Sequence, residues 1–236
     1  MDRNDSLHGV RIAVTGGTSG LGLALVRELT ARGAHVAFVA RTRECVRQVA
    51  RETGAFGIVG DVAQKIDIHR IALQIAGTLG GIDVLVNNAS TLGPVPLRLL
   101  ADTECENFEA TLVTNVLGPF RLTKALLGAL ASSARDGRAA VVINIGSDAG
   151  VNAYAQWGAY GTSKAALAHM TRIFDEETAS LGVRMRCIDP GDMDTPMHAA
   201  ALPDADPATL AQPADVARRL CVDIGRELMG NATIAA

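Results

Sequence analysis

Residues 10–22 of the 236-residue chain read VRIAVTGGTSGLG, which is an apolar run, a glycine-rich turn and the start of an amphipathic segment. An apolar run that enters glycines predicts a buried strand, and the following LALVRELTARG predicts a helix. Backbone N–H groups in such a turn can approach a pyrophosphate at the helix N-terminus, where the helix dipole also favours anions. The alternative is a tight turn that merely needs glycine. The three glycines Gly16, Gly20 and Gly22, in a TGxxxGxG spacing, favour a dinucleotide site.

Beyond this stretch, apolar runs and helical patterns continue to alternate along the chain. This alternation predicts an α/β fold, a Rossmann-type doubly wound parallel sheet flanked by helices in three layers. A long helix is predicted over 102–130, with a kink at Gly118-Pro119. No linker or repeat interrupts the pattern, so we expect a single domain over 1–236, with a small substrate lid at about 191–212. The five further predicted strands are 34–40, 56–60, 82–86, 139–145 and 183–188.

Composition excludes several classes of protein. A net charge of −3 argues against a general nucleic-acid binder. The polar start of the chain has no apolar core of a secretory signal, and no apolar run approaches membrane-spanning length. The four cysteines are far apart and do not cluster with histidines, so we expect buried thiols in a reducing compartment and no metal site. The sequence therefore predicts a cytoplasmic protein without nucleic-acid or membrane partners.

The end of the second predicted strand indicates which dinucleotide binds. In this fold an acidic residue there would bind the ribose 2′-hydroxyl of NAD, and a basic one the 2′-phosphate of NADP. The sequence has Arg41 and Arg43 and no acid at that point. Both arginines could instead open a solvated helix, but a helix N-terminus disfavours cations. We therefore expect NADP(H) to be preferred, with NAD(H) possible.

Polar residues follow the other predicted strands at their carboxyl ends. Asp61 could accept from the adenine amino group or cap the next helix, and the sequence favours neither. Asn87 and Asn88 could turn the chain or bridge backbone groups beside the cofactor. Asn115, in the middle of an apolar helical pattern, is either structural or part of a site, because a buried asparagine needs partners. Ser147 follows the fifth strand.

Tyr160 and Lys164 lie four residues apart in the segment 155–169, AQWGAYGTSKAALAH. Side chains at i and i+4 share one face of a helix, so a phenol and an ammonium would lie side by side. A nearby cation favours phenolate and lowers the pKa of tyrosine, which suits an acid–base catalyst. The second tyrosine, Tyr154, has Gly158 at that spacing instead. Such a pair arises often by chance, so its weight depends on the rest of the chain.

Taken together, these motifs resemble the short-chain dehydrogenase/reductase family, in its short single-domain branch, from about residue 8 to about residue 228. The marks are TGGTSGLG at 15–22, NNAS at 87–90, YGTSK at 160–164 and single residues between and after them, all in the family's order. The resemblance implies that Tyr160 donates a proton to the substrate oxygen, Ser147 holds that oxygen, and Lys164 grips the nicotinamide ribose and lowers the Tyr160 pKa. It implies that Asn115 holds a water that relays protons to Lys164. The implied cofactor contacts are Gly16, Thr18, Ser19, Gly20, Leu21, Gly22, Arg41, Asp61, Val62, Asn87, Ala89, Tyr160, Lys164, Pro190, Gly191 and Thr195.

The chain departs from the family pattern at three places. NNAS replaces the usual NNAG, so Ser90 adds a side chain to the wall of the site. The segment after Gly191 is short, which predicts the small lid. The C-terminal ELMGNATIAA lacks the common glycine-rich closing strand, which puts a tetramer in doubt. We expect a homodimer through the helices of Asn115 and Tyr160, with a tetramer possible.

The sequence therefore predicts an NADP(H)-dependent carbonyl reductase or alcohol dehydrogenase acting on a small molecule. An NAD-dependent alcohol dehydrogenase is one alternative, and Arg41 disfavours it. A non-catalytic NADP-binding sensor or scaffold is another, disfavoured because all four residues of the implied catalytic set are present. Trp157 could be a substrate platform or ordinary helix packing. The expected substrate pocket consists of Ser90, Thr91, Leu92, Asp148, Ala149, Tyr154, Trp157, Met193 and Met197.

Overall fold

The computed structural model describes residues 7–232 and contains one parallel sheet of six strands in the order β3-β2-β1-β4-β5-β6. The strands are β1 Arg11–Thr15, β2 His35–Ala40, β3 Phe56–Val59, β4 Val84–Asn87, β5 Ala140–Ile145 and β6 Val183–Ile188. The helices are α1 Gly20–Ala31, α2 Arg43–Thr53, α3 Lys65–Leu79, α4 Cys105–Leu112, α5 Gly118–Arg135, α6 Gly158–Thr178, α7 Pro196–Ala201 and α8 Pro213–Ala232. The predicted doubly wound sheet is confirmed, and each predicted strand is present within about two residues of its expected bounds.

The sheet is buried on both faces because side chains alternate along each strand. In β1, Ile12 and Val14 point into one core, which α1, α2 and α8 cover. Ala13, between them, points into the opposite core, which α3 and α5 cover. The strand order reverses between β1 and β4, so their carboxyl ends diverge there and leave a crevice.

The long helical segment after β4 differs from its prediction. Helical structure runs from Cys105 to Arg135, and Gly118-Pro119 begins α5 without interrupting it. The irregularity lies just before, as a π-helical turn over Val113–Leu117 with Asn115 at its centre. Proline has no N–H to continue a regular helical ladder, and the wider turn accommodates its entry.

The prediction that all four cysteines are buried is wrong for two of them. Cys45 and Cys105 are exposed, Cys187 is half-buried and only Cys221 is buried, and all four thiols are free. Cys45 faces solvent because Val46 and its helical neighbours occupy the apolar side of α2. Within residues 7–232 no helix is long and apolar enough to span a membrane. The same residues contain no cluster of three or more metal-binding side chains.

A buried acid lies at the amino end of the sheet. Asp83, just before β4, is 2% exposed and accepts hydrogen bonds from Arg11 at 2.6 Å and Arg138 at 2.7 Å, and from the Arg11 main-chain N–H at 2.9 Å. The two guanidiniums outweigh the effect of burial and lower the pKa of Asp83 to about 2. Arg11 also bonds Ser133 of α5, which in turn donates to the Ile82 carbonyl. The network ties three strands and a helix together away from the crevice.

Candidate active site

A cavity of about 1120 Å³ opens along the carboxyl ends of the strands. The loops after all six strands contribute to its wall, as expected for a ligand site in a doubly wound sheet. Two of the predicted site residues, Asn87 and Asn115, do not line it. The predicted residues that do are Gly16, Thr18, Ser19, Gly20, Leu21, Gly22, Arg41, Asp61, Val62, Ala89, Ser147, Tyr160, Lys164, Pro190, Gly191 and Thr195.

The glycine turn has no room for side chains. A Cβ on Gly22 would lie 2.1 Å from the Gly16 carbonyl oxygen, and Gly16 itself has a φ of +72°. Asn88 holds the turn by donating to the Thr15 carbonyl at 2.9 Å, while the Thr15 hydroxyl accepts from the main-chain N–H groups of Asn88 and Ala89, each at 3.0 Å. Of the alternatives for the two asparagines, Asn88 thus bridges backbone groups at the turn.

The N-terminus of α1 faces the cavity without a protein anion. Its N-cap residue, Ser19, makes no capping hydrogen bond through its side chain, and the first turn has no acidic residue. The free N–H groups and the helix dipole there favour an anion. The glycine turn and helix end therefore fit a pyrophosphate.

Arg41 lies where a 2′-phosphate would be recognised. It is exposed, lines the cavity, and makes no side-chain hydrogen bond or ion pair with any residue in the described range 7–232. Arg43 is equally exposed but lies outside the cavity wall. A free guanidinium in this position suits a bidentate bond to phosphate.

Asp61 caps a turn rather than a helix. Its Oδ1 accepts from the Ala63 N–H at 2.9 Å, whereas α3 begins four residues later with Gln64 as its N-cap residue. The helix-capping alternative is therefore wrong. The contact with adenine remains a prediction, and Asp61 lines the cavity on that side.

The Asn87 side chain is turned away from the cavity. Its Nδ2 donates to Asn144 Oδ1 at 2.8 Å and to the Thr123 hydroxyl at 3.2 Å, and Asn144 in turn donates to Thr171. This chain of buried polar groups joins β4 and β5 to α5 and α6. A ribose contact by Asn87 would have to use its main chain.

Tyr160 and Lys164 lie on α6, as the spacing predicts, and both are buried. The Lys164 Nζ is 5.3 Å from the centre of the Tyr160 ring and donates to the Ile145 carbonyl at 2.8 Å. Burial lowers the pKa of Lys164 to about 8. No carboxylate in the described part of the chain forms an ion pair with this ammonium, so it is a buried cation held by one carbonyl.

The Tyr160 pKa differs from expectation. Burial raises it most, the Ser147 hydroxyl lowers it, and the carboxylates of Asp189, Asp148 and Asp192 raise it, so that the Tyr160 pKa is about 12. The expected lowering by Lys164 is not found, because its ammonium is engaged with the Ile145 carbonyl and the phenol is desolvated. The phenol is therefore protonated at neutral pH and suited to donate a proton.

The Asn115 side chain uses all its hydrogen-bonding capacity within the protein. Its Nδ2 donates to the Thr91 carbonyl at 2.8 Å and to the Ser163 hydroxyl at 2.9 Å. Its Oδ1 accepts from the Thr91 N–H at 2.8 Å and the Ser90 hydroxyl at 3.1 Å. Two donors and two acceptor positions are thus filled. The predicted water would have to bind its main chain, and the side chain instead fixes the loop after β4 to α6.

The expected substrate pocket residues all line the cavity. Trp157 contacts Tyr160 edge to face, with ring centres 5.7 Å apart. The predicted lid residues form α7 and a short turn, and a bridge between Met193 and Ala211 closes the segment at its base. His198 on α7 also lines the cavity, with its Nδ1 buried and without a hydrogen-bond partner in the described residues.

Sequence reasoning missed three contributors to the site. The sequence does not decide between the two roles of Asn88, gives no sign of the Ser163 contact with Asn115, and places Asp148 in the pocket without a role. Tyr154 donates to Asp148 at 2.7 Å, and Ser147 donates to the other Asp148 oxygen at 3.3 Å. The adjacency of Asp148 to Ser147 was visible in the sequence, but the folding back of Tyr154 was not.

Comparison with known proteins places these features in a family. The family model described as short chain dehydrogenase matches residues 11–206. The L-fucose dehydrogenase of Rattus norvegicus is 33% identical over 210 residues, covering 86% of this chain and 75% of its own. The 2-(R)-hydroxypropyl-CoM dehydrogenase of Xanthobacter autotrophicus is 30% identical, and the match covers 94% of each chain.

Solved structures described as short chain dehydrogenases have a similar fold. A short chain dehydrogenase of Escherichia coli CFT073, described as putative and complexed with NADPH, superposes with a TM-score of 0.84 at 30% identity, covering 95% of this chain and 96% of that one. A Shigella flexneri structure similarly described and complexed with NADP gives a TM-score of 0.83 at 29% identity, with the same coverage.

Proposed function

The chain belongs to the short chain dehydrogenase family, and we propose that it is an NADP(H)-dependent carbonyl reductase with Asn115, Ser147, Tyr160 and Lys164 as its catalytic set. The observation that supports this most is the protonated phenol of Tyr160 beside Ser147 and Lys164, in the same cavity as the open glycine turn and unpaired Arg41. Its relatives include named dehydrogenases that act on hydroxyl-bearing substrates, and two structural neighbours bind NADP or NADPH.

The chain's own residues supply binding and proton chemistry. The glycine turn and the α1 N-terminus bind the pyrophosphate, and Arg41 binds the 2′-phosphate. Asp61 and Val62 would contact adenine, and Pro190, Gly191 and Thr195 would contact the nicotinamide, since all five residues line the cavity. Bound NADPH supplies the hydride that the carbonyl carbon receives.

The substrate oxygen lies between Ser147 and Tyr160. When substrate binds, the Ser147 hydroxyl turns its proton from Asp148 to this oxygen and polarises the carbonyl, and Tyr160 donates the proton that the product alcohol needs. Lys164, fixed by the Ile145 carbonyl, would bond the cofactor ribose. The high pKa of free Tyr160 favours the reducing direction, because a protonated phenol is an acid and not a base at neutral pH.

The test is NADPH oxidation against a panel of aldehydes, ketones and diketones, with NADH in parallel. Wild type is compared with Tyr160→Phe, which removes only the hydroxyl, and with Thr78→Val as the control, which removes an exposed hydroxyl outside the cavity. We expect turnover with NADPH that Tyr160→Phe lowers at least about 10²-fold. Tight NADPH binding without turnover of any carbonyl would favour the sensor alternative.

We propose a cytoplasmic homodimer that forms through α5 and α6, with a tetramer as the alternative. Leu117 and Ile173, on and beside these helices, are exposed apolar side chains. Light scattering after size exclusion gives the mass, and Ile173→Lys is expected to lower it to that of one chain.

A further inference from the structure

Asp148 places a carboxylate next to the position of the reacting oxygen. It follows Ser147 in the chain, lines the cavity, and its Oδ1 accepts from the Ser147 hydroxyl at 3.3 Å. Its Oδ2 accepts from the Tyr154 hydroxyl at 2.7 Å. The Ser147 hydroxyl is itself fixed, because it accepts from the Ala149 N–H at 3.2 Å.

This geometry indicates which group a substrate should carry on the carbon next to its carbonyl. Two oxygens on neighbouring carbons in a gauche arrangement lie within hydrogen-bond range of each other. When one of them bonds Ser147 and Tyr160, the other therefore comes within reach of Asp148 Oδ1, which neighbours Ser147. A carboxylate only accepts hydrogen bonds, so the second oxygen must carry a proton.

Resting on the proposed reductase function, we propose that the substrate is an α-hydroxy carbonyl compound, reduced to a vicinal diol, whose neighbouring hydroxyl donates to Asp148. Tyr154 is a positioning residue in this scheme. Its hydroxyl occupies Oδ2 and leaves Oδ1 directed at Ser147 and the substrate.

The charges in the half of the cavity around Ser147 and Tyr160 agree with an uncharged or cationic α-hydroxy carbonyl substrate. Asp148, Asp189 and Asp192 all act on Tyr160 and all line the cavity. Apart from Lys164, the described residues of this half include no lysine or arginine, since Arg41 lies at the other end near β2. A carboxylate, phosphate or sulfonate on the substrate would face like charge there.

The experiment compares two ketones of equal shape with NADPH as reductant. In 3-hydroxybutan-2-one a hydroxyl occupies the place of a methyl in 3-methylbutan-2-one. Hydrogen bonds to a charged group support discrimination of about 10- to 100-fold. We expect wild type to favour the hydroxyketone by this factor in kcat/KM, and to reduce the carboxylate 2-oxopropanoate no better than the methyl analogue.

Three variants test which residue causes the preference for the hydroxyketone, expressed as the ratio of the two kcat/KM values. Asp148→Ala is expected to bring the ratio to within about threefold of unity by lowering kcat/KM for the hydroxyketone, since only that substrate loses a bond. Tyr154→Phe is expected to lower the ratio partly. Asp102→Ala, an exposed carboxyl outside the cavity, is expected to leave it unchanged.

The possible failures are distinguishable. Equal use of the two ketones by wild type, or an unchanged ratio in Asp148→Ala, overturns the proposal for Asp148 while the reductase stands. Efficient reduction of 2-oxopropanoate overturns the charge argument. No turnover of any carbonyl by wild type, with NADPH bound, overturns the reductase and this proposal together.

Discussion

The two ends of the sheet each bury a charged side chain, and the surroundings act on the two charges in opposite ways. At the amino end, Asp83 accepts bonds from two guanidiniums and a main-chain N–H, and its pKa falls to about 2. At the carboxyl end, Lys164 bonds a single carbonyl, and its pKa falls to about 8. One charge is stabilised by its partners and the other is destabilised by burial. The amino end therefore serves folding, and the carboxyl end keeps a charge available for a ligand.

The largest effect is expected when the charge at the carboxyl end is removed. Lys164→Met should lower kcat/KM for carbonyl reduction by at least about 10²-fold, because it removes the ammonium that would hold the cofactor ribose in position. Its free energy of unfolding should change by no more than about 2 kcal/mol, because one bond to a carbonyl is lost while a buried charge is relieved. Steady-state kinetics and urea unfolding measure both, with Lys65→Met, an exposed lysine, as the control. A loss of stability comparable to that expected for Asp83 variants would break the comparison.

At the amino end, removing the charge is expected to lower stability strongly and to change activity little. Asp83→Asn should lower the free energy of unfolding by about 3 kcal/mol, because Arg11 and Arg138 lose their shared counter-charge in a buried network. Once folded, the variant should keep kcat/KM within about twofold, since Asp83 lies outside the cavity wall. Urea unfolding provides the measurement, and Asp102→Asn is the exposed control. Equal stability of the two variants would show that the network contributes nothing.

At low pH, Asp83 should no longer contribute to the free energy of unfolding. Its folded pKa of about 2 lies below the unfolded value of about 3.9, so its stabilisation is complete above pH 4 and is lost as the pH falls towards 2. The difference in unfolding free energy between wild type and Asp83→Asn should therefore shrink by about 2 kcal/mol over that window. Other carboxylates with a lowered pKa, such as Asp175, are present in both proteins, so their contributions to the pH dependence of stability cancel in this difference.

Lys164 should show the opposite trend in alkali. Its folded pKa of about 8 lies below the unfolded value, so the unfolded chain holds more protons between about pH 8 and 10. Wild type should gain stability relative to Lys164→Met over that range. A flat difference there would mean that the ammonium is solvated rather than buried.

The smallest effect is expected on cofactor affinity when Arg41, an exposed and unpaired charge, is removed. Arg41→Ala should weaken NADPH binding about 10-fold and NADH binding by less than about twofold, because only NADPH has a 2′-phosphate. Arg43→Ala is the matched control, since Arg43 is exposed but does not line the cavity. Fluorescence titration gives both dissociation constants. Equal weakening of the two cofactors by Arg41→Ala would remove the case for NADP(H).

The fold was predictable because its signals are local and repeated. Each apolar run entering a turn predicted a strand, and the i to i+4 spacing placed Tyr160 and Lys164 on one helix. The directions of single side chains were not predictable, since they depend on partners distant in sequence. Asn87 turns inward because Thr123 and Asn144 meet it there. The pKa of Tyr160 rises because burial, which no spacing reveals, dominates its environment.

The four hydrogen bonds of Asn115 have a consequence for protein engineering. They attach the loop after β4 to the proton-donating helix through Ser90, Thr91 and Ser163. Residues 92–100 follow this anchor, and Leu92, Gly93 and Pro94 still line the cavity. Leu92 shares a buried cluster with Tyr160, and a Cβ on Gly93 would lie 2.8 Å from the Thr111 hydroxyl. Libraries that randomise Pro94 while keeping residues 90–93 would therefore vary substrate scope on a fixed catalytic frame.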